Sequence, residues 1–260
     1  MPEDQDIDTK KGQMPTNLRL LYLMEEVAQM GTPVSASYLV TALGLPKPTV
    51  HRLLHTAEAE GFLQRDVDGK SYGPGYRLRR LSTNTLSSQR IRTERLRLMR
   101  KLAEDVGETC NLAAPGRDGM VYLDRVETHW PLRIQLPVGT QVPFYCTASG
   151  KMYLSSLRQD KLDRLLATID LEDFTEHTLT DVDALKQELT QTRGQGYATD
   201  DQEFMDSMLA LAVPICDDQS RLLSTLSIHV PNQRLDMDSL LTHLPRLKEA
   251  RDHLEELVKA

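Results

Sequence analysis

Several groups of residues in this 260-residue chain have the types and spacing to do chemistry. Lys47, Thr49, His51 and Arg52 lie within one short stretch, and Arg65 and Lys70 flank Asp68-Gly69 further on. Cations and small donors set this way suit phosphates and base edges of a nucleic acid. Ser149-Gly150-Lys151 looks like the end of a phosphate-binding loop, but Tyr145 stands where its first glycine is required. Met152 also replaces the hydroxyl that would hold magnesium. Ser227, His229 and Asp200 have the residue types of a hydrolase triad. Residues two apart on one strand do not build a nucleophile elbow, and neither HExxH nor GxGxxG occurs, so no enzyme is expected. Cys110, Cys146 and Cys216 are odd in number and contain no CxxC pair. A zinc site from these three and His229 is the alternative to buried apolar thiols; the thiol reading is preferred, with no metal and no cofactor.

The cationic cluster needs a scaffold. Leu20, Leu21, Met24, Val27 and Ala28 recur at helical spacing from about Asn17 to Met30, and Gly31 stops that helix. Ser35 suits the N-cap of a second helix, whose apolar stripe is Ala36, Leu39, Val40 and Leu43. Gly44 ends it, and a short turn leads into a third helix from Pro48 to Glu60. That helix has an apolar stripe at Val50, Leu53, Leu54 and Ala57 and a polar face at Thr49, His51, Arg52 and His55. Asp68-Gly69 signals a hairpin in which both turn positions tolerate positive φ. Helix, helix, tight turn, helix and hairpin make a winged helix-turn-helix, over residues 16–80. Its third helix is placed to enter a major groove, with Ser35, Lys47, Thr49, His51, Arg52, Arg65 and Lys70 as the DNA-facing set. The bland alternative is a three-helix protein-contact module with solvated charges.

The rest of the chain reads as a linker and a second domain. A polar helix is expected from Leu81 to Val106, with Arg90, Arg92, Arg95, Arg97 and Arg100 and a narrow stripe of Ile91, Leu98, Leu102 and Val106. It either joins two domains and packs on a partner copy or lies solvated on its own second domain. Beyond it, over residues 108–260, strands are expected at Thr109–Ala114, Met120–Val126, Leu132–Leu136, Gly196–Thr199, Leu209–Ile215 and Leu222–His229. Helices are expected at Ser149–Leu157, Asp160–Ile169, Asp181–Arg193 and Asp236–Lys259. The class is α+β, an antiparallel sheet with flanking helices.

Charge is divided in the same way. The chain has a net charge of -7: residues 1–13 carry -2, residues 14–105 carry +5 and residues 106–260 carry -10. A basic piece joined to an acidic one points to nucleic-acid contact by the basic piece. The apolar run Met208 to Cys216 is too short to span a membrane, and the acidic start MPEDQDIDTKKGQ lacks the apolar stretch of a secretory signal. Residues 1–15 are expected to form a disordered tail, and the compartment is expected to be the reducing cytoplasm.

These residues also resemble a known family. Gly44-Leu45-Pro46-Lys47-Pro48-Thr49-Val50-His51-Arg52-Leu53-Leu54 is similar to the recognition-helix region of IclR-family bacterial transcription regulators. Val121-Tyr122-Leu123-Asp124-Arg125-Val126, PFYCTASGK from Pro143, GYATDDQEF from Gly196, Ala212-Val213-Pro214-Ile215 and Leu226-Ser227-Ile228 resemble blocks of their effector domain. The blocks occur in the family's order and cover nearly the whole chain after residue 15. The resemblance implies a GAF-like C-terminal domain that binds a small molecule, often an organic acid. It also implies dimers or dimers of dimers on double-stranded operator DNA, acting as repressors or activators. Aligning the motifs assigns the effector contacts to Ala148, Ser149, Asp200, Met208, Ala210, Ser227 and His229, with Ile134 and Val142 as apolar walls. Ser149 and Gly150 open an expected helix, where free N–H groups suit a carboxylate.

Two positions depart from the family pattern. Pro48 stands where a small residue, commonly serine, is usual, which removes a hydroxyl from the helix start. His229 stands where the family often has serine; it adds bulk and a donor expected to titrate near neutral pH, or is a buried histidine satisfied by a neighbour. The expected mechanism places two recognition helices of a dimer in successive major grooves. Ligand in the acidic domain then shifts the linker-helix arrangement and, with it, operator affinity.

Overall fold

A computed structural model describes residues 14–30, 32–86, 89–131 and 136–259. They form two compact units, divided between residues 86 and 87. The expected tail lies almost wholly outside the described residues, as do Gly31 and most of the strand expected at Leu132–Leu136.

The first unit contains α1 (Arg19–Gln29), β1 (Val34–Ser35), α2 (Ala36–Leu43), α3 (Lys47–Ala59), β2 (Leu63–Arg65), β3 (Ser71–Pro74) and α4 (Tyr76–Leu86). Its core joins Leu23 and Val27 of α1, Leu39 of α2, Val50, Leu54 and Ala57 of α3, and Leu63 and Tyr72 of the hairpin. Each such large side chain contributes about 1.5–3 kcal/mol by leaving water. On α1, Leu23 takes the buried position expected of Leu21 and Ala28, which are exposed. The hydroxyl of Ser35 accepts from the Tyr38 N–H at 3.2 Å and caps α2. Gly44 ends α2 in the left-handed region at φ 61°, where a side chain would be strained. Helix α3 starts at Lys47, one residue before the expected Pro48, which therefore sits within its first turn where its missing N–H loses no bond.

The three strands form an antiparallel sheet in the order β1-β3-β2; the two-residue β1 carries no sequence signal of its own. The wing turn differs from the two-residue type expected at Asp68-Gly69. Asp66 N–H donates to Ser71 O, Gly69 N–H donates to Asp66 O, and Gly69 has positive φ while Asp68 does not. The Asp68 carboxylate instead accepts from the Lys70 and Ser71 amides and the Ser71 hydroxyl, which holds its pKa down at about 2. Gly69-Lys70-Ser71-Tyr72-Gly73 has the spelling G-x-S-x-G, but it runs from this turn along β3. A nucleophile elbow needs a strand-to-helix turn, so no elbow is formed.

The second unit contains α5 (Gln89–Val106), β4 (Thr109–Pro115), β5 (Met120–Val126), β6 (Gln141–Val142), α6 (Ala148–Ser156), α7 (Gln159–Leu166), α8 (Val182–Gln195), β7 (Ala198–Asp201), β8 (Met208–Cys216), β9 (Leu222–Pro231), α9 (Met237–Leu241) and α10 (Leu244–Lys259). The helix expected over 81–106 is thus two: α4, which begins earlier at Tyr76 and belongs to the first unit, and α5. The closing helix is also divided, because Pro245 has no N–H with which to continue a helical ladder from α9. The sheet is antiparallel in the order β6-β5-β4-β9-β8-β7.

Side chains alternate across each strand, so β9 serves two layers. Leu226, Ile228 and Val230 join Leu209, Leu211 and Val213 of β8 beneath Met99, Leu102 and Val106 of α5 and Leu247 and Leu254 of α10. On the other face, Ala148 and Met152 of α6 pack on Ala198, Ala210 and Ala212. These alanines let α6 approach closely. Gly150 has the same effect on the preceding loop, since a Cβ there would lie 2.2 Å from the Phe144 carbonyl oxygen.

Candidate functional site

Two surfaces collect the singled-out residues. On the first unit, α3 is anchored by Val50, Leu54 and Ala57, which leaves Lys47, His51, Arg52 and His55 exposed and Thr49 half-buried. Among the described residues, the side chains of Lys47, His51 and Arg52 make no hydrogen bond or ion pair. Lys70 is exposed on the wing. Arg65 is different. Its guanidinium bonds Glu58 at 2.7 Å and the Gly69 carbonyl at 3.0 Å and lies over the Tyr72 ring. It therefore ties the wing to α3. Ser35 is likewise occupied as a cap.

On the second unit, the α6-facing side of the sheet carries a row of paired residues. Arg125, Asn111, Ser227, Ala212 and Ala198 follow one another across β5, β4, β9, β8 and β7. A neighbouring row is Thr109, His229, Ala210 and Asp200. Ser227 and His229 do share this face, and His229 Nε2 lies 3.0 Å from Ser227 Oγ. That hydroxyl donates to the Asn111 carbonyl at 3.4 Å, so the imidazole N–H is assigned to Nε2. The Tyr122 ring meets the imidazole edge-on. Burial, with the Arg125 charge adding to it, pushes the His229 pKa down to about 3. The imidazole is neutral near pH 7, which corrects the expectation of titration there.

Asp200 is buried, whereas its neighbour Asp201 is exposed. Burial first, and then the negative charge of Glu203, raise the Asp200 pKa to about 8, although the Glu203 and Phe204 amides donate to its Oδ1. Beside it, the buried Lys151 ammonium bonds Glu188 at 3.0 Å and Glu203 at 2.5 Å. Lys151 is thus committed to two carboxylates. Ala148, Ser149 and Ala210 are buried, Met208 is half-buried, and Val142 is buried on β6; Ile134 lies outside the described residues. The Thr147 hydroxyl accepts from the Gly150 N–H at 3.0 Å, which removes that N–H from the donors expected for a ligand.

Asn111, Tyr122 and Arg125 were not among the residues expected on this face. Asn111 is fully buried, and its Oδ1 accepts from Arg125 Nη1 at 3.0 Å. Its Nδ2 and the Ser149 hydroxyl are buried without a hydrogen-bond partner. An unmet buried polar group costs about 1–3 kcal/mol, so such atoms mark either strain or a place for a partner. A β-bulge at Leu123 explains why Arg125 was missed. Tyr122 pairs with Ala113, whereas Asp124 and Arg125 pair with Leu112 and Asn111. The extra residue puts Tyr122 and Arg125 on one face although they are three apart, and turns Asp124 toward α5. There Asp124 is fully buried and accepts from Arg92 Nε at 2.9 Å and Arg95 Nε at 2.6 Å. Among the described residues, no cluster of His, Cys, Asp and Glu is set to hold a metal ion, and no helix is long and apolar enough to cross a membrane.

Known proteins share this architecture. Residues 18–67 match the IclR helix-turn-helix domain, and residues 83–255 match the C-terminal domain of bacterial IclR transcriptional regulators. The probable transcriptional regulator SauR of Cupriavidus necator is 37% identical, over 91% of this chain and 94% of that protein. The acetate operon repressor of Salmonella typhimurium is 31% identical, over 87% of this chain and 84% of that protein. The crystal structure of Thermotoga maritima IclR covers 94% of this chain and 98% of its own, with a TM-score of 0.62 and 25% identity. These relatives are named as transcriptional regulators, not as enzymes. With both domains matched in order, this chain belongs to the IclR family of bacterial transcriptional regulators.

Proposed function

We propose that this chain acts in the cytoplasm as a sequence-specific DNA-binding regulator whose operator affinity is set by a small organic acid held in a GAF-like C-terminal domain. The observation that carries the DNA reading is the uncommitted cationic face of α3. Lys47, His51 and Arg52 are exposed on a helix whose opposite side is locked into the core. Arg52 and His51 reach base edges, Lys47 and Lys70 contact phosphates, and Thr49 lines the helix start. Ser35 and Arg65 serve this face by capping α2 and bracing the wing. A homodimer, or a dimer of dimers, presents two such helices to a pseudo-palindromic operator.

The effector reading rests on the sheet face beneath and beside α6, where Ser149 and Asn111 have unmet polar atoms. Ala148, Ser149, Asp200, Met208, Ala210, Ser227 and His229 line it, with Val142 as an apolar wall. A relative named for repression of an acetate operon supports repression as the mode of action. Functionally, residues 16–80 are the DNA-binding domain, 81–107 the transmitter and 108–260 the effector domain. Fluorescence anisotropy with DNA from upstream of the chain's own gene, over a salt series, tests this. Nanomolar binding that exceeds binding to scrambled DNA and falls steeply with salt is expected. Weak binding here, together with failure of a random-sequence selection, would leave a protein-contact adaptor as the better reading.

A further inference from the structure

The outward side of α3 is not polar throughout. Val50, Leu54 and Ala57 are its buried stripe, and Pro48 and Arg52 are exposed. At roughly 100° per residue, Pro48 and Arg52 lie about 160° and 200° around the helix from Val50, directly opposite the core. Lys47, Thr49 and His51 lie nearer its flanks, about 60–100° from Val50. A helix seated in a major groove with its core side outward therefore brings Pro48 and Arg52 closest to the base edges.

The start of α3 is also poor in donors. Pro46 stands at the N-cap without a side-chain cap, and neither Pro46 nor Pro48 has an N–H. The Thr49 and Val50 N–H groups both donate to the Pro46 carbonyl, at 2.9 and 3.1 Å. This end of the helix is a poor cradle for a phosphate.

The base edges decide what Pro48 can meet. Its ring is a hydrocarbon with neither donor nor acceptor. The major-groove edges are polar except for the thymine C5-methyl. Against adenine N6, cytosine N4 or guanine O6, the ring would strip water from a polar group and offer no partner. Against the methyl it removes apolar surface from water on both sides, and a proline side chain loses no rotamer freedom in doing so. Arg52 sits one turn along the same line and has the geometry to bind guanine O6 and N7. The two side chains start about 6 Å apart, which is close to two base-pair steps of about 3.4 Å.

We propose that Pro48 determines operator specificity by packing its ring on the C5-methyl of a thymine within about two base pairs of the guanine read by Arg52. This rests on the DNA reading above and adds a base and the residue that selects it.

The test uses the full chain and the operator it selects from random-sequence duplexes. Each thymine is replaced in turn by deoxyuridine, which removes the methyl and keeps every hydrogen-bonding group. Anisotropy titrations should show a ~4-fold loss at one thymine in each half-site, the effect of returning one methyl group to water. Pro48→Ser should bind the thymine and deoxyuridine duplexes alike at that position, with its affinity for scrambled DNA unchanged. The substitution adds an N–H in the first helical turn, where amides need no intrahelical partner, so α3 keeps its start. Pro48→Gly, which removes the ring altogether, serves the same purpose should the serine variant fail to fold. Arg52→Ala should lose its guanine preference within about two base pairs of the same thymine. An operator with no methyl-sensitive thymine, a sensitivity that persists in the folded variants, or a sensitive thymine far from that guanine would overturn the proposal. A chain that selects no sequence fails the DNA reading and this assignment together. One that selects a sequence without methyl dependence fails this assignment alone.

Discussion

Arg95 and Asp124 form a buried ion pair between α5 and β5, with Arg95 Nε 2.6 Å from Asp124 Oδ2. Next in sequence to Asp124 is Arg125, which points to the opposite face and bonds Asn111. Adjacent residues of one strand thus touch the helix at the start of the second unit and the α6-facing side of the sheet. A shift of β5 therefore moves the carboxylate that holds α5. Asp124→Ala takes the Asp124 carboxylate away from the buried Arg95 guanidinium and should cost about 3–5 kcal/mol in urea unfolding. Replacing both residues with apolar ones should recover most of that loss. If Asp124→Ala costs less than about 1 kcal/mol, the pair does not organise α5.

Asp200 gives a pH signature with a defined sign. Its folded pKa is about 8, above the unfolded carboxylate value, so it favours folding at low pH. That stabilisation fades as pH rises toward 8. His229, with a folded pKa of about 3, acts in the opposite sense, adding stability as pH rises to about 6.5 and nothing further above it. Between about pH 6.5 and 8.5, Asp200 acts without that compensation and should lower stability by about 1–2 kcal/mol. Unfolding midpoints across this range should fall for the natural chain and stay nearly level for Asp200→Asn. An equal fall in the variant would assign the effect to another group.

Two substitutions on α3 separate base reading from phosphate contact. Arg52→Ala should weaken operator binding by about 1–3 kcal/mol and relax base preference at one position. Lys47→Ala should weaken all DNA sequences alike and reduce the salt slope by about 1. Anisotropy titrations with operator and scrambled duplexes measure both. No change with Arg52→Ala would remove it from the interface.

Gly150→Ala tests the close seating of α6. The added Cβ meets the Phe144 backbone, which cannot move aside as a flexible side chain would. A loss of about 2 kcal/mol or more in chemical denaturation is expected, from the overpacking this position would suffer. Gly194→Ala, in α8, meets nothing within 4 Å and should leave stability unchanged or slightly improved.

Much of this protein was legible in its sequence where local rules and packing agree. The helix-turn-helix followed from the Ser35 cap, the Gly44 stop and the Val50, Leu54 and Ala57 stripe, and the structure keeps all of them. The pairing of Ser227 with His229 followed from strand period alone. What stayed hidden depends on contacts distant in sequence. Arg125 and Tyr122 share a face only because of the Leu123 bulge, which strict alternation does not reveal. Asn111 gains its interest from an unmet amide that only the packed sheet defines. The low His229 pKa needs its burial, and Arg65 needs Glu58 seven residues away to become a brace rather than a free cation. The division of the 81–106 stretch between two units likewise has no strong breaker in the sequence.

The central claim is that a ligand in the second unit controls DNA binding by the first. The direct measurement is operator affinity of the full chain with and without a small organic acid that raises its unfolding temperature, beside the same pair for a chain cut near residue 107. The full chain should change affinity by at least ~5-fold, a coupling of about 1 kcal/mol, and the cut chain should not respond. A cut chain that responds, or a full chain that binds the ligand with no change in operator affinity, would contradict the account.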